Sequence, residues 1–190
     1  MGKKFLLILG GPGAGKGTQC ENIKKRSDKY VHLSTGDLLR AEIKAQSEIG
    51  KKVESIIANG QLVSDDIIVA MVNSFVNKTD KEVIVLDGFP RTVSQLKALL
   101  AIKDEATPML IINLAIPDDE LVRRIMHRGQ TSGRADDNEV AAKQRLAVYH
   151  QQHDEMIAEV QKLNYHIVNN LGTIADVWKD VEAILDKEGF

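Results

Sequence analysis

The feature that most constrains this chain is a glycine-rich segment directly after a short apolar one. Lys4–Leu9 has the length and apolar content of a buried strand, and it is followed by Gly10-Gly11-Pro12-Gly13-Ala14-Gly15-Lys16-Gly17-Thr18-Gln19 and a helical pattern. In this context the glycines let backbone N–H groups turn inward around phosphate oxygens, and the helix N-terminus adds its positive end. The segment therefore predicts a phosphate-binding loop, with Lys16 reaching the β- and γ-phosphates of a nucleotide.

One position in this loop departs from the strict pattern, which places Ser or Thr directly after the lysine as a magnesium ligand. Gly17 stands there instead, and the hydroxyl comes one residue later, at Thr18. We therefore expect Mg²⁺ to be held by phosphates and water with no direct protein ligand, because this ion usually keeps several waters.

Short apolar segments alternate with segments of helical period along the rest of the chain. Such alternation predicts an α/β fold with a parallel sheet covered by helices on both faces. The helical pattern is clearest in Leu121–Met126 and Asn138–Leu163, and Thr35–Asn77 carries several helices between the second and third strands. The predicted strands are Lys4–Leu9, Tyr30–Leu33, Glu82–Leu86, Met109–Leu114 and Tyr165–Val168.

Length, charge and cysteine content exclude several classes of protein. A chain of 190 residues fits one domain, and its net charge of −2 gives no sign of a nucleic-acid or membrane-surface binder. Cys20, the only cysteine, excludes an internal disulfide and a Cys-rich zinc site. No apolar run is long enough to span a membrane and no secretory signal is present, so we expect a cytoplasmic protein.

A match to the guanine-binding motif of GTPases raises an alternative that its context argues against. Asn77-Lys78-Thr79-Asp80 fits the motif, but it ends a helical pattern and precedes a strand, whereas the GTPase motif follows a buried strand. The Asp-x-x-Gly switch motif is also missing after the third strand, where the sequence is Asp87-Gly88-Phe89-Pro90-Arg91. We interpret Asn77–Asp80 as a solvent-exposed turn.

Several arginines fall where the predicted strands end or around a short polar segment, Gly129–Arg134, which we expect to be a mobile flap. Moving a phosphoryl group between two nucleotides brings two polyanions together, and arginine grips phosphate bidentately. Asp87 ends an apolar strand, where an unpartnered carboxylate would be costly, so we expect it to face magnesium through water. The arginines are Arg40, Arg91, Arg128, Arg134 and Arg145.

Together these motifs resemble the nucleoside monophosphate kinases, and among them the adenylate kinase family, over essentially the whole chain. The resemblance implies a three-layer fold with a five-stranded parallel sheet in the order 2-3-1-4-5. It also implies a single domain over residues 1–190, with a monophosphate-binding subdomain at 34–63 and a short lid at 128–138. The motifs are Gly10–Gln19, Ser34–Arg40, Gly60–Val63, Asp87–Arg91 with Gln95, and Arg128 to Arg145 with Gly133–Asn138 between them.

The resemblance assigns roles residue by residue. Catalytic roles fall on Lys16, Arg91, Arg128, Arg134, Arg145 and Asp87. The residues implied to bind ATP are Gly11, Pro12, Gly13, Ala14, Gly15, Lys16, Gly17, Thr18, Arg128 and Gly172. The residues implied to bind AMP are Thr35, Arg40, Gln61, Leu62, Val63, Gly88, Phe89, Pro90, Arg91, Gln95, Arg134 and Arg145.

Two side chains point to AMP as the acceptor. Thr35 and Gln95 resemble the adenylate kinase pattern, in which the glutamine amide binds the adenine edge, whereas pyrimidine-specific relatives carry Ala and Asn. The implied reaction is ATP + AMP ⇌ 2 ADP with Mg²⁺, in a monomer. A UMP/CMP kinase and a non-catalytic nucleotide-binding module remain alternatives, and an exposed helical glutamine is the other interpretation of Gln95.

The remaining expectations concern metals and proton transfer. Arg128 and Arg134 are six positions apart, which resembles the short-lid form without zinc. His150 and His153 lie one helical turn apart, but no third ligand is near, so we assign them no metal. We identify no candidate His–Asp pair, and the reaction needs none, because the acceptor phosphate is already ionised.

Overall fold

The computed structural model describes residues 3–103, 105–132 and 138–190. Strands and helices alternate along these residues as the sequence predicts. The strands are β1 (Lys4–Leu9), β2 (Tyr30–Ser34), β3 (Val83–Asp87), β4 (Met109–Ala115) and β5 (Tyr165–Asn169). The helices are α1 (Lys16–Lys25), α2 (Thr35–Lys44), α3 (Glu48–Ala58), α4 (Asp65–Lys78), α5 (Val93–Ile102), α6 (Asp118–Ser132), α7 (Glu139–Val160) and α8 (Ile174–Glu188).

The strands form one parallel sheet in the order β2-β3-β1-β4-β5, which confirms the predicted fold. Successive side chains of a strand point to opposite faces, so β1 contributes to two separate apolar layers. Leu7 packs in the layer that includes buried residues of α4, α5 and α7, and Leu6 packs in the layer with α1 and α8. Both faces of the central strands are therefore dry, as the continuous apolar runs of β1 and β3 require.

The connections after β1 and β4 leave the sheet in opposite directions, which opens a crevice at the carboxyl ends of these strands. The loop 10–15 after β1 and the segment 88–92 after β3 both lie at this edge. The motifs selected from the sequence therefore converge on one region. None of the helices described is both long and apolar enough to cross a membrane.

The first four residues of the predicted flap, Gly129–Ser132, are helical, because α6 continues through Ser132. A single glycine such as Gly129 costs a helix only about 1 kcal/mol relative to alanine, which need not end it. The rest of the predicted flap, Gly133 and Arg134, lies outside the described residues. The structure agrees with the interpretation of Asn77–Asp80 as a turn. Lys78 ends α4, and the Thr79 side chain accepts a hydrogen bond from the Lys81 N–H just after it.

The packing of α2 against α3 generates a stability prediction at Gly50. A Cβ added at this position would lie 2.1 Å from the carbonyl oxygen of Glu42, so the two helices touch through backbone. We expect Gly50→Ala to lower the free energy of unfolding by about 1–3 kcal/mol, although alanine is the better helix former. Urea unfolding measures this, with Glu54→Ala on the exposed face of α3 as the control. Equal stability of the two variants would contradict the close packing.

Candidate active site

The phosphate loop has the predicted form between β1 and α1. Gly10, Gly13 and Gly15 have φ values of 140°, 85° and 75°, which side-chain-bearing residues rarely adopt. The loop also packs tightly, since a Cβ at Gly13 would lie 2.9 Å from the carbonyl oxygen of Leu121 in α6. The Lys16 ammonium donates to the carbonyl oxygens of Gly10 and Gly11, both at 2.9 Å. The loop is thus closed around its lysine.

Two residues that the sequence analysis did not select hold this loop against β5. The Asn170 side chain, 5% exposed, donates to the carbonyl oxygen of Ala14. Arg124 of α6 donates to the carbonyl oxygen of Asn170 at 2.8 Å and to Glu120 Oε1 at 2.7 Å. Glu120 and Arg124 are four residues apart, which is the ordinary spacing of an ion pair on a helix. The further bond from Arg124 to Asn170 therefore has no local signal in the sequence.

Asp87, the last residue of β3, lies beside the base of the phosphate loop. A Cβ added at Gly17 would lie 3.6 Å from Asp87 Oδ2. The structure corrects the expectation that no His–Asp pair exists, because His32 Nε2 is 3.5 Å from the same oxygen. The pair was missed because β2 and β3 are far apart in sequence and become neighbours only in the sheet, where His32 pairs with Val85.

The charges of this region are mutually dependent. Burial lowers the pKa of Lys16 to about 8, although the Asp87 carboxylate opposes the effect. Burial also raises the pKa of Asp87, but His32 and Lys16 outweigh it, so the pKa of Asp87 lies below its ordinary value. For His32 burial lowers the pKa, and the carboxylates of Asp87 and Glu21 reverse this to a net rise. Asp87 is therefore an ionised carboxylate at neutral pH.

An open cavity of about 580 Å³, a volume that includes the solvent at its mouth, lies between residues of the 34–63 segment and the end of β3. The carbonyl oxygen of Gly88 organises one wall, because it accepts from Thr35 Oγ1 at 3.1 Å and from Arg91 Nε at 2.9 Å. Arg40, on another wall, pairs with Asp37 at 2.5 Å. The predicted acceptor residues on its surface are Thr35, Arg40, Gln61, Leu62, Val63, Gly88, Arg91, Gln95 and Arg145.

Gln95 is 2% exposed, so the interpretation as an exposed helical glutamine is wrong. Its Oε1 accepts from the Arg91 backbone N–H at 2.8 Å, and its Nε2 donates to Asp65 Oδ1 at 2.7 Å. The other oxygen of Asp65 accepts from Thr92 Oγ1 at 2.9 Å. Asp65 thus fixes which way the amide points, and each amide group keeps a second hydrogen-bonding position.

A second cavity, of about 690 Å³, lies beside the phosphate loop. It is lined by Gly10, Pro12 and Lys16 on one side and by α7 on the other. The two cavities have residues in common, so the phosphate loop and the smaller cavity open onto the same space. The shared residues are Gly60, Leu62, Gly88, Arg91 and Arg145.

Other predicted site residues lie elsewhere. Arg128 is on α6 and Gly172 is exposed after β5, and neither lines these two cavities. Phe89 is fully buried in the core, whereas Pro90 lines the larger cavity. Gly11, Ala14, Gly17 and Thr18 belong to the loop and the start of α1. Arg134 lies outside the described residues.

The histidines that were assigned no metal have other partners. His150 Nε2 lies 2.8 Å from Asp118 Oδ2, and the two side chains are about half exposed. His153 lies against the Tyr149 ring, with 4.6 Å between the ring centroids. Neither belongs to a group of three or more metal-ligating side chains among the described residues.

Comparison with known proteins gives matches over nearly the whole chain. The sequence model of the family described as Adenylate kinase matches residues 8–165. The chain is 41% identical to an adenylate kinase of Bacteroides thetaiotaomicron over 189 residues, which covers 96% of this chain and 98% of that protein. It is 40% identical to adenylate kinase isoenzyme 1 of Gallus gallus over 187 residues, with 97% and 95% covered.

The lowered pKa of Lys16 generates a prediction about proton uptake. At pH 8.5 most of the free protein has a neutral Lys16, because its pKa is about 8, and polyphosphate charge favours the ammonium form. ATP binding should therefore take up a proton at pH 8.5 and much less at pH 7, and affinity should fall as pH rises above 8. Calorimetry in buffers of different ionisation enthalpy measures the uptake. Lys16→Met should abolish the pH-dependent part; unchanged uptake in this variant would contradict the assignment.

Proposed function

This chain belongs to the adenylate kinase family, and we propose that it transfers the γ-phosphate of ATP to AMP across the space where its two cavities meet. The family makes it a nucleoside monophosphate kinase, a phosphotransferase. The observation that carries the assignment of the site is the sharing of Arg91 and Arg145 by both cavities. A transferring phosphoryl group needs positive charge at that junction, and a protein that only binds ATP has no use for it.

On the donor side, the loop from Gly11 to Thr18 cradles the phosphates of ATP with its N–H groups. Lys16 exchanges its bonds with the carbonyl oxygens of Gly10 and Gly11 for bonds to the β- and γ-phosphates. Arg128, at the start of the lid (residues 128–138), stacks near the adenine of ATP and contacts its phosphates, and Gly172 contacts the adenine through its backbone. The resemblance of these positions to the family motifs supports these roles.

The donor side also fits a magnesium ion. The carboxylate of Asp87 is the group that fits the ion, because it is ionised and faces the phosphate loop at Gly17. Gly17 has no hydroxyl side chain that could stand between this carboxylate and the loop. Asp87 would hold the ion through water, and Mg²⁺ supplies charge neutralisation between the β- and γ-phosphates. Thr18, which is exposed on α1, is one residue beyond the position of a direct ligand.

On the acceptor side, Arg40 and Arg91 hold the AMP phosphate, and Arg134 and Arg145 bridge it to the transferring group. Thr35, Gln95 and the backbone of 61–63 bind the adenine, which requires both a donor and an acceptor. The acceptor phosphate attacks as an anion, so neither His32 nor another base has to remove a proton. Arginine charge and alignment then lower the barrier.

Three further features belong to the proposal. Residues 34–63 would form the monophosphate-binding subdomain, and this is supported by the residues that α2 and α3 contribute to the wall of the acceptor cavity. The lid at 128–138 closes over both nucleotides, since an open site would allow water to accept the phosphoryl group. We also propose that the protein acts as a monomer in the cytoplasm; the monomer is supported by the fact that one chain supplies residues for both cavities.

The role of Arg91 is tested by Arg91→Ala with Arg123→Ala as the matched control. Removing one charge-stabilising donor typically lowers kcat by about 10²–10³-fold, and we expect Arg91→Ala to do so without weakening ATP binding. Arg123 is exposed and pairs only locally with Glu120, so its variant should keep full activity. A coupled assay gives the rates and calorimetry gives the ATP affinity. Retained turnover in Arg91→Ala would refute the assignment.

Asp65 is expected to act as a positioning residue for AMP recognition. Asp65→Asn replaces the carboxylate that accepts from Gln95 and Thr92, and loss of a charged hydrogen bond costs roughly 1.5–3 kcal/mol. We expect KM for AMP to rise by about tenfold or more and kcat to change little. The preference for AMP over UMP and CMP should fall as well.

The control for Asp65 is its neighbour Asp66, which is exposed on the same helical turn. Asp66→Asn should behave like the unchanged protein across the panel of AMP, UMP and CMP. Faster turnover of UMP than AMP by the unchanged protein would refute AMP as the acceptor.

A further inference from the structure

Three side chains with metal-binding chemistry meet beneath the phosphate loop. Cys20 lies on α1, His32 on β2 and Asp87 at the end of β3, and one ligand atom from each lies within 4.8 Å of the others. We propose that these residues form a binding site for Zn²⁺, separate from the Mg²⁺ that accompanies ATP.

The ligand set and its dimensions suit zinc. Thiolate, imidazole and carboxylate are the ligands that Zn²⁺ takes in proteins, whereas Mg²⁺ takes oxygen ligands. Bonds of about 2.0–2.3 Å around a tetrahedral ion separate its ligands by roughly 3.3–3.8 Å. His32 Nε2 and Asp87 Oδ2 are already 3.5 Å apart. Within the 4.8 Å limit, the Cys20 sulfur needs to move by at most about one ångström, with water in the fourth position.

The hydrogen bonding of His32 is that of a metal ligand. Its side chain is 10% exposed, and its Nε2 faces Asp87 Oδ2 at 3.5 Å, a separation at the outer limit of a hydrogen bond. The other nitrogen, Nδ1, lies 3.1 Å from Glu21 Oε1. A histidine that binds a metal usually donates its second N–H to a carboxylate, which fixes the tautomer and directs the free lone pair at the metal. Glu21 supplies that carboxylate here.

Charge balance also favours occupancy. On binding, the Cys20 thiol loses its proton to solvent, and the sulfur and the Asp87 carboxylate together neutralise the two charges of Zn²⁺. The ion and its ligands together would therefore be neutral, in a region from which water is largely excluded. A buried cysteine packs well as a small apolar side chain, but that alone does not explain why an imidazole and a carboxylate converge on it.

Occupancy should inhibit the enzyme, an effect that rests on the proposed function. Asp87 cannot bind Zn²⁺ directly and also hold the Mg²⁺ of ATP through water with the same oxygen. With Zn²⁺ bound, the negative charge of Asp87 would also no longer stabilise the ammonium of Lys16. Zinc would thus act from beneath the phosphate loop, on the residue that links the loop to β3.

The binding test needs no nucleotide, so it is independent of the proposed activity. Titration of the metal-free protein with Co²⁺, used as a spectroscopic substitute, should give a thiolate-to-cobalt charge-transfer band that saturates at one ion per chain. Zn²⁺ should displace the cobalt. Cys20→Ala should remove the band, and Glu21→Gln should weaken Zn²⁺ binding by about 10–100-fold. His150→Gln, at a histidine paired with Asp118 on the surface, should change neither.

Two results would overturn the site: no charge-transfer band in the unchanged protein, or an equal band in Cys20→Ala. Glu21→Gln keeps the test decisive if Cys20→Ala fails to fold, because Glu21 is largely exposed. Inhibition is measured as the rate at fixed free Zn²⁺ relative to the metal-free rate of each variant. Equal inhibition of Cys20→Ala and the unchanged protein would reject the claim that Zn²⁺ inhibits through Asp87. Absence of any kinase activity would reject the proposed function but would leave the binding result intact.

Discussion

The site depends on keeping a partly desolvated ammonium group inside the phosphate loop before any phosphate arrives. Burial disfavours the charge of Lys16, and two carbonyl oxygens of the loop together with the nearby Asp87 carboxylate oppose that effect. The loop can hold this geometry because its glycines adopt positive φ and because Asn170 ties it to β5. A lysine poised in this way meets phosphate without first losing a full shell of water, which is the kind of preorganisation that electrostatic catalysis requires.

The second requirement is that donor and acceptor charges meet at one place, and the sheet order provides it. β1 and β3 are neighbours, so the phosphate loop and the 88–92 segment leave the same edge side by side. Arg91 follows from β3 and Arg145 comes from α7, so two independent elements deliver positive charge to the shared wall of the cavities. One side of that wall faces the phosphate loop, and the other faces the cavity in which we propose that the acceptor binds.

What could be predicted from the sequence was what is encoded locally. The strand, glycine loop and helix around Lys16 are contiguous, and apolar runs of strand length predict buried parallel strands wherever they occur. The residues that were missed act through contacts across the sheet or between helices. Asn170 meets Ala14, His32 meets Asp87, and Asp65 meets Gln95, each pair joined only by tertiary packing. A polar side chain at the end of an apolar strand, such as Asn170, is the one local signal that could have drawn attention to such a contact.

Asp87 shows how one position can carry two metal chemistries. Toward the loop it faces Gly17 and the ammonium of Lys16, where an ionised oxygen suits hydrated Mg²⁺. Toward α1 and β2 it faces a thiol and an imidazole, which favour Zn²⁺. The absence of a side chain at Gly17 leaves the first direction to water and phosphate, and the Glu21 carboxylate orients His32 for the second. Mg²⁺ and Zn²⁺ would therefore compete for the Asp87 carboxylate. Only hydrated Mg²⁺ leaves this carboxylate available to the ATP site.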